Sequence, residues 1–227
     1  MIFPDRAIAG KMLAEKLAGT PSIIQKTKRG IRNKKILVLA LPRGGVAVGF
    51  EIARKLNVAL EPLVARKLGA PGNPEFGFGA IARENTVFLD EQTVKLLGLA
   101  KEQIAEIAAQ ENLELKRREK IYRGGRKFPA LAGKTVILVD DGIATGVTVK
   151  AALRFIRKQN PARIILAVPV LAVESIEIFE PEVDEIIYLQ APAHLGAVGA
   201  WYESFPQNTD VEIIELLAKS RLLAQPQ

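Results

Sequence analysis

Five short apolar runs punctuate the chain: residues 35–41 (KILVLAL), 60–65, 135–139 (TVILV), 163–171 and 185–189. An unbroken apolar run of this length is the pattern of a strand buried on both faces. Between the runs the spacing becomes helical. In residues 5–19 (DRAIAGKMLAEKLAG), Ile8, Met12, Leu13 and Leu17 share one side and Gly19 ends the segment. Residues 46–56, 149–159 and 174–179 read the same way. Residues 91–122 predict a mostly helical stretch whose Glu114–Arg118 and Glu119–Arg123 are spaced for four-apart ion pairs. A last helix over 209–223 starts with Thr209 and, three residues on, Glu212, a capping box. Apolar strands alternating with helices predict an α/β fold, a parallel twisted sheet with helices on both faces.

One segment breaks the alternation. Residues 69–79 (GAPGNPEFGFG) hold four glycines and two prolines, too many turn formers for regular structure, so a mobile active-site loop is expected there. Residues 80–89 predict a small hairpin.

Composition narrows the chemistry. The 227 residues are 48% apolar and 25% charged, ordinary globular usage, which argues against wholesale disorder. With no cysteine, disulfides, thiolate catalysis and cysteine-bound metal centres are excluded. Pro4, Asp5 and Arg6 interrupt the N-terminal stretch, and residues 164–173, the longest apolar run, reach only half of the ~20 residues a membrane helix needs. A cytoplasmic protein with no membrane contact is expected. The net charge is +7; residues 26–35, with six basic side chains and no acid, and 116–127, with seven and one, together carry +12, and the remainder about −5. Such patches suit an anionic partner, a phosphate-rich small molecule or a nucleic acid.

The richest stretch is residues 136–148, VILVDDGIATGVT. Asp140 and Asp141 fall at the C-terminal end of a buried strand, where open α/β sheets bind ligands. Gly142, Ala144, Thr145, Gly146, Val147 and Thr148 then lead into a helix whose backbone N–H groups can cradle an anion. Two carboxylates beside a phosphate cradle suit a sugar phosphate. A P-loop would need a lysine where Val147 stands, and the dinucleotide fingerprint a third glycine beyond Gly142 and Gly146.

This segment resembles the phosphoribosyl pyrophosphate (PRPP) signature of type I phosphoribosyltransferases. The wider chain, from DRAIAGKMLAEKL through LPRGGVAVGFEIARKL and RKLGAPGNPEFGFGAI to AVGAWY, is similar to the small bacterial subfamily of these proteins whose acceptor is unassigned. The resemblance implies a single domain over residues 1–227, with a helical insertion at about 80–130 and a C-terminal hood at about 190–227. It places Asp140 and Asp141 on the ribose hydroxyls and residues 144–148 on the 5′-phosphate. Pro42, Arg43, Gly44 and Gly45 match the pyrophosphate loop, where a cis peptide at Pro42–Arg43 is expected. Arg66 and Lys67 match the basic pair directed at pyrophosphate, and residues 69–79 the loop that closes over substrate.

The implied reaction displaces pyrophosphate from PRPP by a nitrogenous base or amine. Arg43 and Lys67 would stabilise the leaving group, and Mg²⁺ would be held mainly by PRPP oxygens, with Asp140 or Asp141 reaching it through water. On the acceptor side the candidates are His194, Trp201 and Tyr202, against the plainer expectation that these rings pack the C-terminal helix. A homodimer is expected. The alternative function is a PRPP- or nucleotide-binding regulator that presents its basic surface to nucleic acid, with residues 116–127 as the contact and Tyr122 available for stacking.

Overall fold

The computed structural model describes residues 1–24 and 35–223; the basic stretch 26–35 therefore lies, apart from Lys35, outside the described residues. In chain order the elements are α1 (Arg6–Ala18), α2 (Pro21–Ile24), β1 (Ile36–Ala40), α3 (Gly44–Leu56), β2 (Ala59–Pro62), β3 (Ala65–Ala70), β4 (Asn73–Ala82) and β5 (Thr86–Leu89). There follow α4 (Glu91–Leu96), α5 (Lys101–Arg123), β6 (Thr135–Val139), α6 (Val147–Lys158), β7 (Arg163–Val170), α7 (Val173–Phe179), β8 (Glu185–Gln190) and α8 (Asp210–Leu223). They divide into two compact units: residues 1–62, 129–144 and 160–227, and residues 63–128 with 145–159.

The first unit holds a five-stranded sheet in the order β2-β1-β6-β7-β8, every pair parallel. β1 and β6 are buried along their whole length, as the unbroken apolar runs require of strands covered on both faces. Helix α1 packs on α3, β7 and β8, and α3 packs on β1, β2 and α8. Asp5 caps α1 by accepting the Ile8 backbone N–H, and the capping box of α8 is present, with Thr209 N–H on Glu212 Oε2 at 2.7 Å. The start of the chain and residues 201–204 run side by side. Phe3 N–H donates to the Trp201 carbonyl and Glu203 N–H to that of Phe3, both at 2.8 Å. Phe3, Tyr202, Leu195, Val170 and Ala172 close a small core there, against which Trp201 and Phe205 pack.

The second unit is an antiparallel sheet, β3-β4-β5, with α5 and α6 packed on it. Here the structure corrects the expected loop at 69–79: those residues are the paired ends of β3 and β4 around a turn at Pro71-Gly72. The glycines are spent on close approach. A Cβ at Gly69 would lie 2.6 Å from Pro74 Cα, and one at Gly77 2.7 Å from Lys67 Cδ. The register slips twice around Gly69, which gives the hairpin an irregular end that larger residues could not pack. A second correction concerns α5. Glu114 takes Arg118 and also Arg117, which holds its carboxyl down at about 2, whereas Glu119 receives Arg83 at 2.7 Å.

Candidate active site

β6 delivers the acidic pair. Asp140 and Asp141 follow its last residue, and the Asp141 backbone N–H donates to Asp140 Oδ1 at 2.9 Å. The loop beyond is pinned to the end of β7: Ile143 N–H donates to the Val170 carbonyl at 2.9 Å, and Ala172 N–H to that of Ile143 at 3.1 Å. A Cβ on Gly142 would overlap the Val198 side chain. Ala144 and Thr145 are exposed. Gly146, at φ +69°, turns the chain into α6, whose first residues are Val147 and Thr148.

β1 ends beside β6, Ala40 paired with Val139, and delivers the second element. The Pro42–Arg43 peptide is cis, as expected from the resemblance. Gly44 and Gly45 open α3 hard against the aspartates. A Cβ on Gly44 would overlap the Asp141 carboxylate, and one on Gly45 would sit 2.9 Å from Asp140 Cα. Arg43 Nη1 stands 3.9 Å from Asp210 Oδ1 in the first turn of α8.

Arg6 belongs to this site and was not singled out from the sequence. Its Nε donates to Asp141 Oδ2 at 2.7 Å, its Nη1 to the Pro206 carbonyl at 2.7 Å, and its guanidinium carbon lies 3.6 Å from the centre of the Phe205 ring. The available signal was slight: one arginine on the first turn of a helix, a residue type that a solvated surface position explains equally well. Tyr202 donates its hydroxyl to the Asp141 backbone carbonyl at 2.5 Å and stacks on Phe205. Burial pushes the Asp140 carboxyl well above its ordinary value of 3.8, and the neighbouring Asp141 charge adds to this. Burial raises Asp141 as well, opposed by the Arg6 hydrogen bond and charge. Tyr202 is raised by burial first and by Asp141 second, so its hydroxyl stays protonated.

Of the other expected residues, Arg66 and Lys67 lie in β3 of the second unit. Both line a cleft of about 600 Å³ with the hairpin backbone and Gln103, Glu106 and Gln110 of α5. Arg66 Nε is bonded to Glu111 Oε2 at 2.7 Å. His194 is exposed. Trp201 gives its indole N–H to the Leu195 carbonyl at 3.0 Å and packs against the Phe3 core. Tyr122 is 1% exposed, so it is not available to stack on a base.

Among the described residues no cluster of three or more acidic or histidine side chains could cage a metal, and no helix is long and apolar enough to cross a membrane. The half-buried oxygen donors of Asp140 and Asp141 suit a hard cation that brings most of its ligands with it.

Comparison with known proteins gives a consistent picture. A family model described as phosphoribosyl transferase domain matches residues 12–178. A Mycobacterium tuberculosis protein named "Putative phosphoribosyl transferase Rv0571c" is 37% identical over 219 residues, 96% of this chain and 47% of its own length. The chain thus spans about half the length of the curated relatives it matches. The crystal structure of the TT1426 protein from Thermus thermophilus superposes with a TM-score of 0.76 at 36% identity, covering 96% of this chain and 99% of that one. The AQ2163 protein of Aquifex aeolicus shares the fold, with a TM-score of 0.50 at 16% identity over 82% of this chain and 74% of its own.

Proposed function

Because this chain belongs to the phosphoribosyl transferase domain family, we propose that it transfers the 5-phosphoribosyl group of PRPP to a nitrogenous base or amine and releases pyrophosphate. The observation that carries this reading is the pairing of two carboxylates at the end of β6 with a turn, residues 42–45, whose glycines let backbone press against them.

In the reaction the bond from the anomeric carbon to pyrophosphate oxygen breaks, a carbon–nitrogen bond forms, and the acceptor nitrogen loses a proton. Asp140 and Asp141 orient the ribose through its hydroxyls and offset the positive charge that develops on the sugar ring. Gly142, Ala144, Thr145, Gly146, Val147 and Thr148 take the 5′-phosphate on backbone N–H groups and the Thr hydroxyls. Pro42, Arg43, Gly44 and Gly45, with Arg66 and Lys67, take pyrophosphate. Asp140 or Asp141 would hold Mg²⁺ through water, and the ion, bound chiefly by PRPP oxygens, would neutralise charge on the leaving group. No side chain of the site stands out as a general base, so the proton passes to solvent or to pyrophosphate. His194, Trp201 and Tyr202 flank the acceptor side. The protein works as a cytoplasmic homodimer.

Calorimetric titration of PRPP with Mg²⁺ into the wild type and an Asp140→Ala/Asp141→Ala variant tests this. Binding by the wild type alone is expected, followed by acceptor-dependent pyrophosphate release. Binding by neither overturns the reading.

One observation favours a second reading, a regulator on nucleic acid. Residues 63–128 and 145–159 carry 16 basic and nine acidic side chains, and the rest of the chain 16 of each. The whole net charge of +7 thus belongs to the second unit. Retention on RNA at physiological salt would support the regulator; loss of binding as salt approaches that level marks a nonspecific surface.

A further inference from the structure

Arg6 reaches the acidic pair from 135 residues away in sequence. Three contacts hold its guanidinium: Asp141 Oδ2 and the Pro206 carbonyl, each at 2.7 Å, and the face of Phe205. A guanidinium anchored on a backbone carbonyl and an aromatic face is a fixed fork rather than a mobile counter-ion. The same oxygen, Asp141 Oδ2, abuts Gly44: a Cβ there would overlap it and lie 2.8 Å from Arg6 Nε, so no side chain fits. Arg6, the Asp141 carboxylate and the Gly44 backbone thus meet at one point. Asp140 is placed differently: among the described residues no hydrogen bond joins it to Arg6, and its Oδ1 accepts the backbone N–H of Asp141. Chain neighbours with the same functional group thus have unlike surroundings.

We propose that Arg6 is a positioning residue that clamps Asp141 against the turn at residues 42–45, leaving Asp140 as the carboxylate that meets the sugar hydroxyls. This rests on the PRPP reading above and narrows its sugar contact from the acidic pair to Asp140. Asp141 becomes the post that sets the pyrophosphate turn, and Arg6 the brace beside it. The C-terminal segment completes the brace, because Pro206 and Phe205 fix Arg6 while Tyr202 holds the Asp141 carbonyl.

Two measurements separate the clamp from the reading beneath it. Urea unfolding of the wild type, Arg6→Gln, Asp141→Asn and the double variant needs no ligand. Each single change is expected to lower the folding constant on the order of tenfold, and the double change no further than the larger single. Losses that multiply overturn the clamp.

Titration with PRPP and Mg²⁺ then tests the division of labour. Asp140→Asn is expected to weaken binding on the order of 100-fold, as loss of a direct charged contact does. Arg6→Gln and Asp141→Asn each weaken it about tenfold without multiplying, and Arg6→Lys recovers part of the loss. Equal losses from Asp140→Asn and Asp141→Asn, with Arg6→Gln silent, overturn the assignment. A wild type that binds no PRPP overturns the underlying reading and the sugar contact with it, while the urea cycle still decides the clamp.

Discussion

Arg66 Nε donates to Glu111 Oε2 at 2.7 Å, tying strand β3 to helix α5. The guanidinium matched from the sequence to pyrophosphate is thus already bonded to a carboxylate within its own unit. An arginine already bonded to a carboxylate offers an incoming anion little net charge. Arg66→Ala is therefore expected to weaken PRPP binding by less than about threefold. Calorimetry on the variant checks this; a loss of about tenfold or more would show that Arg66 leaves Glu111 to meet the ligand.

Gly44 tolerates no side chain because the Asp141 carboxylate occupies the space. Gly44→Ala should lower stability by about 2 kcal/mol, a typical overpacking cost, and should weaken PRPP binding at least about tenfold by displacing Asp141. Urea unfolding and calorimetry on the same sample read both effects. Retained affinity would show that Asp141 can move without harm.

Burial raises the Asp140 carboxyl well above 3.8, so the folded protein holds a proton there that the unfolded chain has released. Between the two values stability falls as pH rises, and above both the penalty is constant. Asp140→Asn removes the penalty. The variant is expected to be more stable than the wild type at pH 8, with the gap narrowing as pH falls toward 4. Urea midpoints across that range measure it; a gap independent of pH would locate the effect elsewhere.

Tyr202 spends its hydroxyl on the Asp141 carbonyl. Tyr202→Phe leaves that carbonyl without its partner, at a cost of about 1–3 kcal/mol, or several degrees in thermal midpoint. The stacked ring remains, so the acceptor KM should change little. A raised acceptor KM at unchanged stability would give the hydroxyl a direct role in binding the base.

Much of this fold was legible because its signals are local. The runs 35–41, 135–139 and 163–171 announced strands buried on both faces, and β1, β6 and β7 are such strands. Thr209 and Glu212 announced the start of α8 in four residues. The acidic pair could be read because it is contiguous with its strand and loop. The hairpin at 69–79 was misread for a physical reason: glycine is used both where a chain must turn and where two backbones must touch, and only the partner strand tells which. Gly69 and Gly77 touch; Gly72, at φ +77°, turns.

The sequence by itself determined the parallel sheet, its flanking helices and the position of Asp140 and Asp141, because periodicity and short motifs act over a few residues. Tertiary structure decided which charges meet. Arg6 lies 135 residues from Asp141, Arg66 45 from Glu111 and Tyr202 61 from Asp141. A bond of 2.7 Å between residues as distant as Arg6 and Asp141 depends on strand order and on how α1 and residues 201–206 cross the sheet ends, and no local pattern of polar and apolar residues carries that information.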